Sequence, residues 1–364
     1  MKIPRGFLFS AVNCGIKNKK LDLGLVYCQD FCQGAGVFTK NANPSYSVTV
    51  SKQNINNPIK AILVNSGNAN CYSHPRGLED TGDIISELAK KIGTSKNNIL
   101  ISSTGIIGKK LSKEKIIKGL PRLIKGLSKN CDGFSQSILT TDTFNKSLSV
   151  DLKSSSGKGS ICGFAKGAGM ICPNMATMLG FVLTDFSLPR GAYRKIINQA
   201  VEESFNSISI DGCMSTNDTV FFVSSKEVIL KSKKDIDLFS RKLKEICLSL
   251  AQMIVKDAEG ATKFIEIEVK GARSCSEAKK AGMYLANSNL FKCALYGENA
   301  NWGRIISALG HAGVRVKEDI GIKHSPLKKN KIYISIDLKR GKKSWKVYTS
   351  DLTPEYIKIN AEYS

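Results

Sequence analysis

An α/β fold is the expectation for this chain, and three observations lead to it. Helical and strand-like hydrophobic patterns are mixed along the whole length, without the strict alternation of a doubly wound parallel sheet. A composition of 42% hydrophobic and 23% charged residues over 364 positions suits a globular protein with one large core or two ordinary ones. No apolar run approaches the roughly 18 residues of a membrane span. The amino-terminal Met-Lys-Ile-Pro-Arg-Gly lacks the apolar stretch of a secretory signal, so the expected compartment is the cytoplasm.

The helical part of the expectation rests on apolar residues recurring at three and four. Residues 79–92 place Ile84, Leu88 and Ile92 on one stripe. A helix at 112–127 is expected to be interrupted by Pro121, and one at about 189–205 to begin just after Pro189. The most periodic segment is 235–256, with Phe239, Leu243, Ile246, Leu250 and Met253 facing a core. Strands are expected at Ile62–Val64, Ile99–Ser102, Val220–Val223, Phe264–Val269, Ile332–Leu338 and Tyr356–Ala361, where residues alternate or are rich in β-branched types.

Composition also excludes several chemistries. Eleven cysteines, an odd number scattered from Cys14 to Cys293, do not form a disulfide framework and read as reduced thiols. The closest pair, Cys28 and Cys32, has neither a second pair nor histidines at ligand spacing, which argues against zinc. With His74, His311 and His324 as the only histidines, a histidine-dependent triad is weakly supported. The net charge of +23 invites a nucleic-acid reading, yet only ten of the 54 basic residues are arginine. The basic stretches Lys17–Lys20 and Lys323–Lys346 carry little interleaved aromatic character for stacking on bases. A lysine-rich solvated surface accounts for the excess better, with an anionic small substrate or a phosphate-bearing coenzyme as the alternative. Neither nucleic acid nor membrane is expected as a partner.

Glycine clusters in residues 157–180, which composition alone reads as a linker or a functional loop. It is not a Walker loop: Leu152 stands where Gly157-Lys158 would need an earlier glycine, and Gly159 follows the lysine in place of Ser or Thr. The segment does offer Ala176-Thr177, with Lys166 eleven positions earlier. A threonine hydroxyl is a poor nucleophile at neutral pH, and one remedy is a free α-amine on the same residue as its base. That requires cutting the chain before the threonine. A buried threonine in an apolar run is the simpler reading of those residues alone.

Eight motifs add to it. They are Gly34-Ala-Gly-Val-Phe-Thr39, Val64-Asn-Ser-Gly-Asn-Ala-Asn70, Ser102-Ser-Thr-Gly-Ile-Ile-Gly108, Leu139-Thr-Thr-Asp-Thr143, Ala165 through Leu179, Asp257-Ala-Glu-Gly-Ala-Thr-Lys263, Asn301-Trp-Gly-Arg-Ile305 and Ile359-Asn-Ala-Glu-Tyr363. Taken in this order, they resemble the ornithine acetyltransferase family, also called the bifunctional glutamate N-acetyltransferase family of arginine biosynthesis. The resemblance runs through nearly the whole chain.

It implies an N-terminal-nucleophile fold of layered α/β domains with mixed sheets, self-cleaved between Ala176 and Thr177. Residues 1–176 would form one chain and 177–364 the other, and two processed copies would assemble as an α2β2 heterotetramer. Thr177 would be the nucleophile, passing an acetyl group from N2-acetylornithine to glutamate in a ping-pong cycle through an acetyl-threonine. No cofactor or metal is required, although some members also accept acetyl-CoA as donor. Thr104 and Gly105 would donate to the oxyanion, and Thr140, Lys166, Thr177, Glu259, Asn360 and Ser364 would bind substrate. A cation such as Lys166 near the α-amine would help keep it neutral and basic.

Two departures from the family pattern stand out. Ala258 replaces the first glycine of the usual Asp-Gly-Glu-Gly-Ala-Thr-Lys, awkward if that position needs positive φ. The family's ending also carries one more hydroxyl residue, for which Ser364 and its carboxylate would have to substitute. The rivals are a self-processing aminopeptidase or amidohydrolase with water as acceptor, and a non-catalytic basic binding protein.

Overall fold

In the computed structural model, which describes residues 1–73, 75–172 and 178–362, one strand of 16 residues, β2 (Leu23–Phe38), organises the larger sheet. Its first part pairs with β1 (Phe7–Val12) on one side and β3 (Pro58–Asn68) on the other. Past a break in register between Tyr27 and Cys32, its second part pairs with β8 (Thr219–Ile229). With β4 (Ile99–Ile106), β5 (Lys146–Ser154), β6 (Gly157–Lys166) and β7 (Leu179–Ser187), the order is β4-β3-β2-β8-β7-β6-β5, and β1 joins through β2. β3 with β4 and β7 with β8 are parallel, and the remaining pairs are antiparallel. The sheet is mixed, as expected.

Successive residues of a strand face opposite ways, and here both faces are buried. Phe181, Phe221 and Val223 lie in one apolar cluster, Val182, Val220 and Phe222 in another. The first cluster also holds Phe9, Val26, Ile62 and Leu100 from the other half of the sheet. Phe9 of β1 and Phe164 of β6 have ring centroids 5.5 Å apart, although their strands are not neighbours in the sheet. The sheet therefore folds over at β2, and its two halves face each other across an aromatic core.

Helices close the outer faces. α2 (Gly77–Ile92) and α3 (Lys113–Lys125) cover β2–β4 with Ile84, Leu88, Leu120 and Leu123. α5 (Arg190–Glu202) and α6 (Lys233–Lys256) cover the other half, α6 with Phe239, Leu243, Ile246, Leu250 and Ile254. Ser232 caps α6 by accepting from the Asp235 amide at 3.1 Å. The layers run helix, sheet, sheet, helix. A second mixed sheet of β10 (Gly321–His324), β11 (Lys331–Asp337), β9 (Phe264–Ala272) and β12 (Lys343–Ser350) packs with α7 (Cys275–Ala286) and α9 (Trp302–His311). The remaining helices are α1 (Tyr46–Asn54), α4 (Asp132–Ser137), α8 (Asn289–Tyr296) and α10 (Pro354–Glu362).

Three expectations are corrected. Within the glycine-rich stretch, residues 157–166 are β6 in place of a linker or loop, with every residue from Ser160 to Lys166 buried, and Leu179 opens β7. Residues 356–361 lie in α10 instead of a strand, because Thr353 accepts from the Tyr356 amide, Pro354 opens the helix and Glu355 occupies its first turn. Pro121 does not interrupt α3; burial of Ile116, Leu120 and Leu123 outweighs the one backbone hydrogen bond it removes. None of the eleven cysteines is in a disulfide. No helix among the described residues is long and apolar enough to cross a membrane.

The larger sheet draws strands from both sides of residues 176 and 177, with Lys166 of β6 directly opposite Leu179 of β7. The chain leaves this sheet after Lys166 and returns to it at Leu179 beside the same strand.

Candidate active site

The ends of β4 and β6 open onto one cavity. It is lined by Thr104, Gly105, Thr140, Lys166, Glu259 and Asn360, together with Ala69, Gly169, Ser215 and Asn217 among others. Six of the residues that the sequence singles out, scattered over more than 250 positions, thus line one cavity. Ala176, Thr177 and Ser364 lie outside the described residues.

The wall at Thr104 and Gly105 is built by two motifs acting together. β3 and β4 run parallel with Ser66 opposite Thr104 and Gly67 opposite Gly105, and the register slips at Gly67 and Asn68. Gly105 has φ +129°, and a Cβ there would lie 2.5 Å from the Asn68 nitrogen. Only glycine fits so close an approach of two backbones. Asn68 holds the far side of the turn, donating to the carbonyls of Lys109 and Lys110 at 2.9 and 3.1 Å. Asn217 ties the same wall together from the other half of the sheet, donating to the carbonyls of Ala69 and Ser103.

Lys166 ends β6 with its side chain buried and its Nζ 3.2 Å from Thr104 Oγ1, to which it donates. Behind it lies Asp142, 3.9 Å away and with its side chain fully buried. Asp142 accepts from Lys146 Nζ at 2.6 Å, the Gly167 amide at 2.7 Å and the Thr140 amide at 3.1 Å. Lys146 also pairs with Asp257, which takes the amide and hydroxyl of Thr143. Burial works to raise the Asp142 carboxyl, but Lys166 and Lys146, with the hydrogen bonds from Lys146 and Gly167, pull it down to about 2. For Lys166 burial dominates and Lys146 adds to it, so its pKa falls below the ordinary lysine value despite Asp142, Glu259 and Asp218.

Glu259 lines the same cavity. Its amide donates to the Ala168 carbonyl at 2.9 Å, and a Cβ on Gly169 would meet its carboxylate, so this second glycine is what lets the acid reach the cavity. Asn360 of α10 donates to Glu259 Oε2 at 2.9 Å and to the Tyr356 carbonyl at 3.0 Å. Asp211 anchors this corner, accepting from the amides of Ile171 and Cys213 and from the Tyr356 hydroxyl. Ala258 does not have positive φ and is buried in the core; the residue of its motif that does is Gly260, at φ +66°. The substitution at 258 is thus compatible with the fold.

The model of the ArgJ family matches residues 8–325 and 321–364. The chain belongs to the ArgJ family. The Arginine biosynthesis bifunctional protein ArgJ of Geobacter sulfurreducens is 40% identical over 393 residues, with 99% of each chain covered. Its counterpart in Chlorobaculum tepidum is 37% identical over 388 residues, covering 99% of this chain and 96% of the other. Among solved structures, ArgJ from Bacillus halodurans is 30% identical with a TM-score of 0.45, over 48% of this chain and 92% of that one. The eight motifs therefore resemble the family to which this ArgJ-family chain does belong.

Sequence reasoning assigned no role to Asp142, Asp211, Ser215 or Asn217. Asp142 was within reach, since it sits inside the quoted Leu139–Thr143 motif beside Thr140. Nothing local distinguishes Asn217, which matters only once the sheet brings it to Ala69 and Ser103. Among the described residues, no group of three or more His, Cys, Asp and Glu side chains is arranged to hold a metal ion.

Proposed function

We propose that this ArgJ-family chain transfers the acetyl group of N2-acetylornithine to glutamate, through an acetyl-threonine formed on Thr177. The observation that carries the reading is the meeting of Thr104, Gly105, Thr140, Lys166, Glu259 and Asn360 in one cavity. The names of the full-length relatives, which are bifunctional proteins of arginine biosynthesis, support it.

In this reading the Thr177 hydroxyl attacks its own preceding carbonyl, which breaks the amide between Ala176 and Thr177, frees the Thr177 α-amine and leaves an ester; water then hydrolyses that ester to an Ala176 carboxylate and restores the hydroxyl. That amine then takes the hydroxyl proton as oxygen attacks the acetyl carbonyl. The C–N bond breaks, ornithine leaves with the proton on its amine, and the acetyl group stays as an ester. The α-amine of glutamate attacks the ester, giving N-acetylglutamate and restoring the hydroxyl.

The surrounding residues suit each step. Because Lys166 donates to Thr104 Oγ1, the Thr104 proton is free to turn toward a developing oxyanion beside the Gly105 amide. Burial of Lys166 next to this hydroxyl makes its charge count for more than it would in water. Glu259 supplies the acid that an amino-acid ammonium needs in a strongly basic protein, and Asn360 fixes one of its oxygens. Acetyl-CoA as a second donor, assembly as α2β2 and a cytoplasmic site belong to the same proposal.

The test is to give the purified protein N2-acetylornithine labelled in the acetyl group, with glutamate as acceptor. Label in N-acetylglutamate supports the proposal; label only in free acetate would make water the acceptor and the protein a hydrolase.

A further inference from the structure

A second cavity adjoins the first, with Thr140 lining both. Its volume is about 420 Å³, within the roughly 300–1,000 Å³ usual for small-molecule sites. Lys17, Lys109, Lys110 and Lys115 line it, and no Asp or Glu does. None of the four makes an ion pair among the described residues: Lys17 donates to the Leu139 carbonyl at 3.0 Å and Lys115 to the Gly15 carbonyl at 2.8 Å. Burial first, and then Lys20 and Lys166, hold the Lys17 ammonium down to about 8, against the opposing pull of Asp22 and Asp142.

The walls are built, not incidental. Asp22 accepts the consecutive amides of Cys14, Gly15, Ile16 and Lys17, which fixes the loop carrying Lys17. Asn68 fixes the backbone of Lys109 and Lys110 from below. Ser112, also in the lining, stands at the start of α3 without its hydroxyl capping the helix, so the positive end of a helix of 13 residues adds to the lysines. Four cations and a helix start around a cavity free of carboxylates call for a polyanion.

We propose that this lysine-walled cavity binds the phosphate groups of a ligand whose other end can pass Thr140 into the catalytic cavity. Phosphate is the chemistry that such a wall recognises, and its source is either an acyl donor built on a phosphorylated coenzyme or a free phosphate ion. The coenzyme source rests on the acetyl-transfer reading above; the phosphate site does not. It also gives part of the net charge of +23 a use that the amino-acid substrates leave open.

The experiment is calorimetric titration of the whole protein with coenzyme A and, separately, with inorganic pyrophosphate. The protein is wild type or carries Lys109→Ala with Lys110→Ala, two exposed side chains outside the catalytic cavity. Expected is binding that weakens at least tenfold in the double variant and shows a shallower dependence on salt, while transfer from acetylornithine to glutamate stays within about twofold. Coenzyme A competing with acetylornithine would identify the donor as the source, and pyrophosphate binding alone would identify a free ion; both uphold the site. Equal affinity in wild type and double variant, or no binding of either compound by wild type, would overturn it. Transfer activity in the same samples reports on the catalytic reading independently.

Discussion

Lys166 donates to the Thr104 hydroxyl at 3.2 Å, joining the end of β6 to the point where β4 loses register with β3. Neither strand could hold this geometry alone, since it depends on the two halves of the sheet facing each other. The bond sets the direction in which the Thr104 hydroxyl proton can turn toward an oxyanion. Thr104→Ala is therefore expected to lower the acetyl-transfer rate about 10²–10³-fold, and Thr104→Ser to retain most of it. Single-turnover rates with saturating acetylornithine check this, and full activity in Thr104→Ala would remove the residue from the site.

Lys166→Met tests the other partner. It keeps the length and apolar stem of a buried side chain but removes the charge beside Thr104 and Asp142. Both acetyl transfer and chain processing are expected to fail, read by product formation and by gel mobility. Retention of both would detach Lys166 from the chemistry.

The buried carboxylate behind Lys166 makes a stability prediction. Asp142 stands at about 2 in the fold against an ordinary 3.8, so its contribution is complete above the ordinary value and lost as pH falls through 2. The shift corresponds to about 2 kcal/mol. Asp142→Asn leaves Lys146 and Lys166 short of a buried counter-ion and should cost about 3–5 kcal/mol at pH 7. Urea unfolding at pH 7 and across pH 4 to 2 measures both; the variant should also lose part of the acid slope.

Much of this fold was legible where a single element states its own pattern. The stripe from Phe239 to Leu250 marks α6, and the apolar runs at Val220–Val223 and Phe264–Val269 mark β8 and β9. It was not legible where glycine hides a strand: β6 reads as a loop until its neighbours α6 and β7 supply the burial that its own residues do not announce. Residues 356–361 alternate like a strand, yet Thr353-Pro354-Glu355 carries the start signal of a helix and prevails. The site divides the same way. Thr104, Lys166 and Glu259 stand inside distinctive motifs, whereas Asp211 and Asn217 gain meaning only from contacts across the fold.

Glu259 and Asn360 set up a contrast in binding. Glu259→Gln is expected to raise KM for the amino-acid substrates about 10–100-fold with little change in kcat, as for the loss of one charge-assisted hydrogen bond. Asn360 is exposed and acts by holding Glu259, so Asn360→Ala should have a smaller effect of the same kind. Initial rates over a range of glutamate concentrations separate the two; a fall in kcat alone would contradict a binding role.

The central claim is that Thr177 becomes the amino terminus of a second chain and carries the acetyl group. Intact mass and amino-terminal sequencing of the purified protein, beside a Thr177→Ala control, test it most directly. The account predicts two chains, residues 1–176 and 177–364, the second beginning Thr177-Met178-Leu179, with the control uncut. A single uncut chain in the wild type would contradict it.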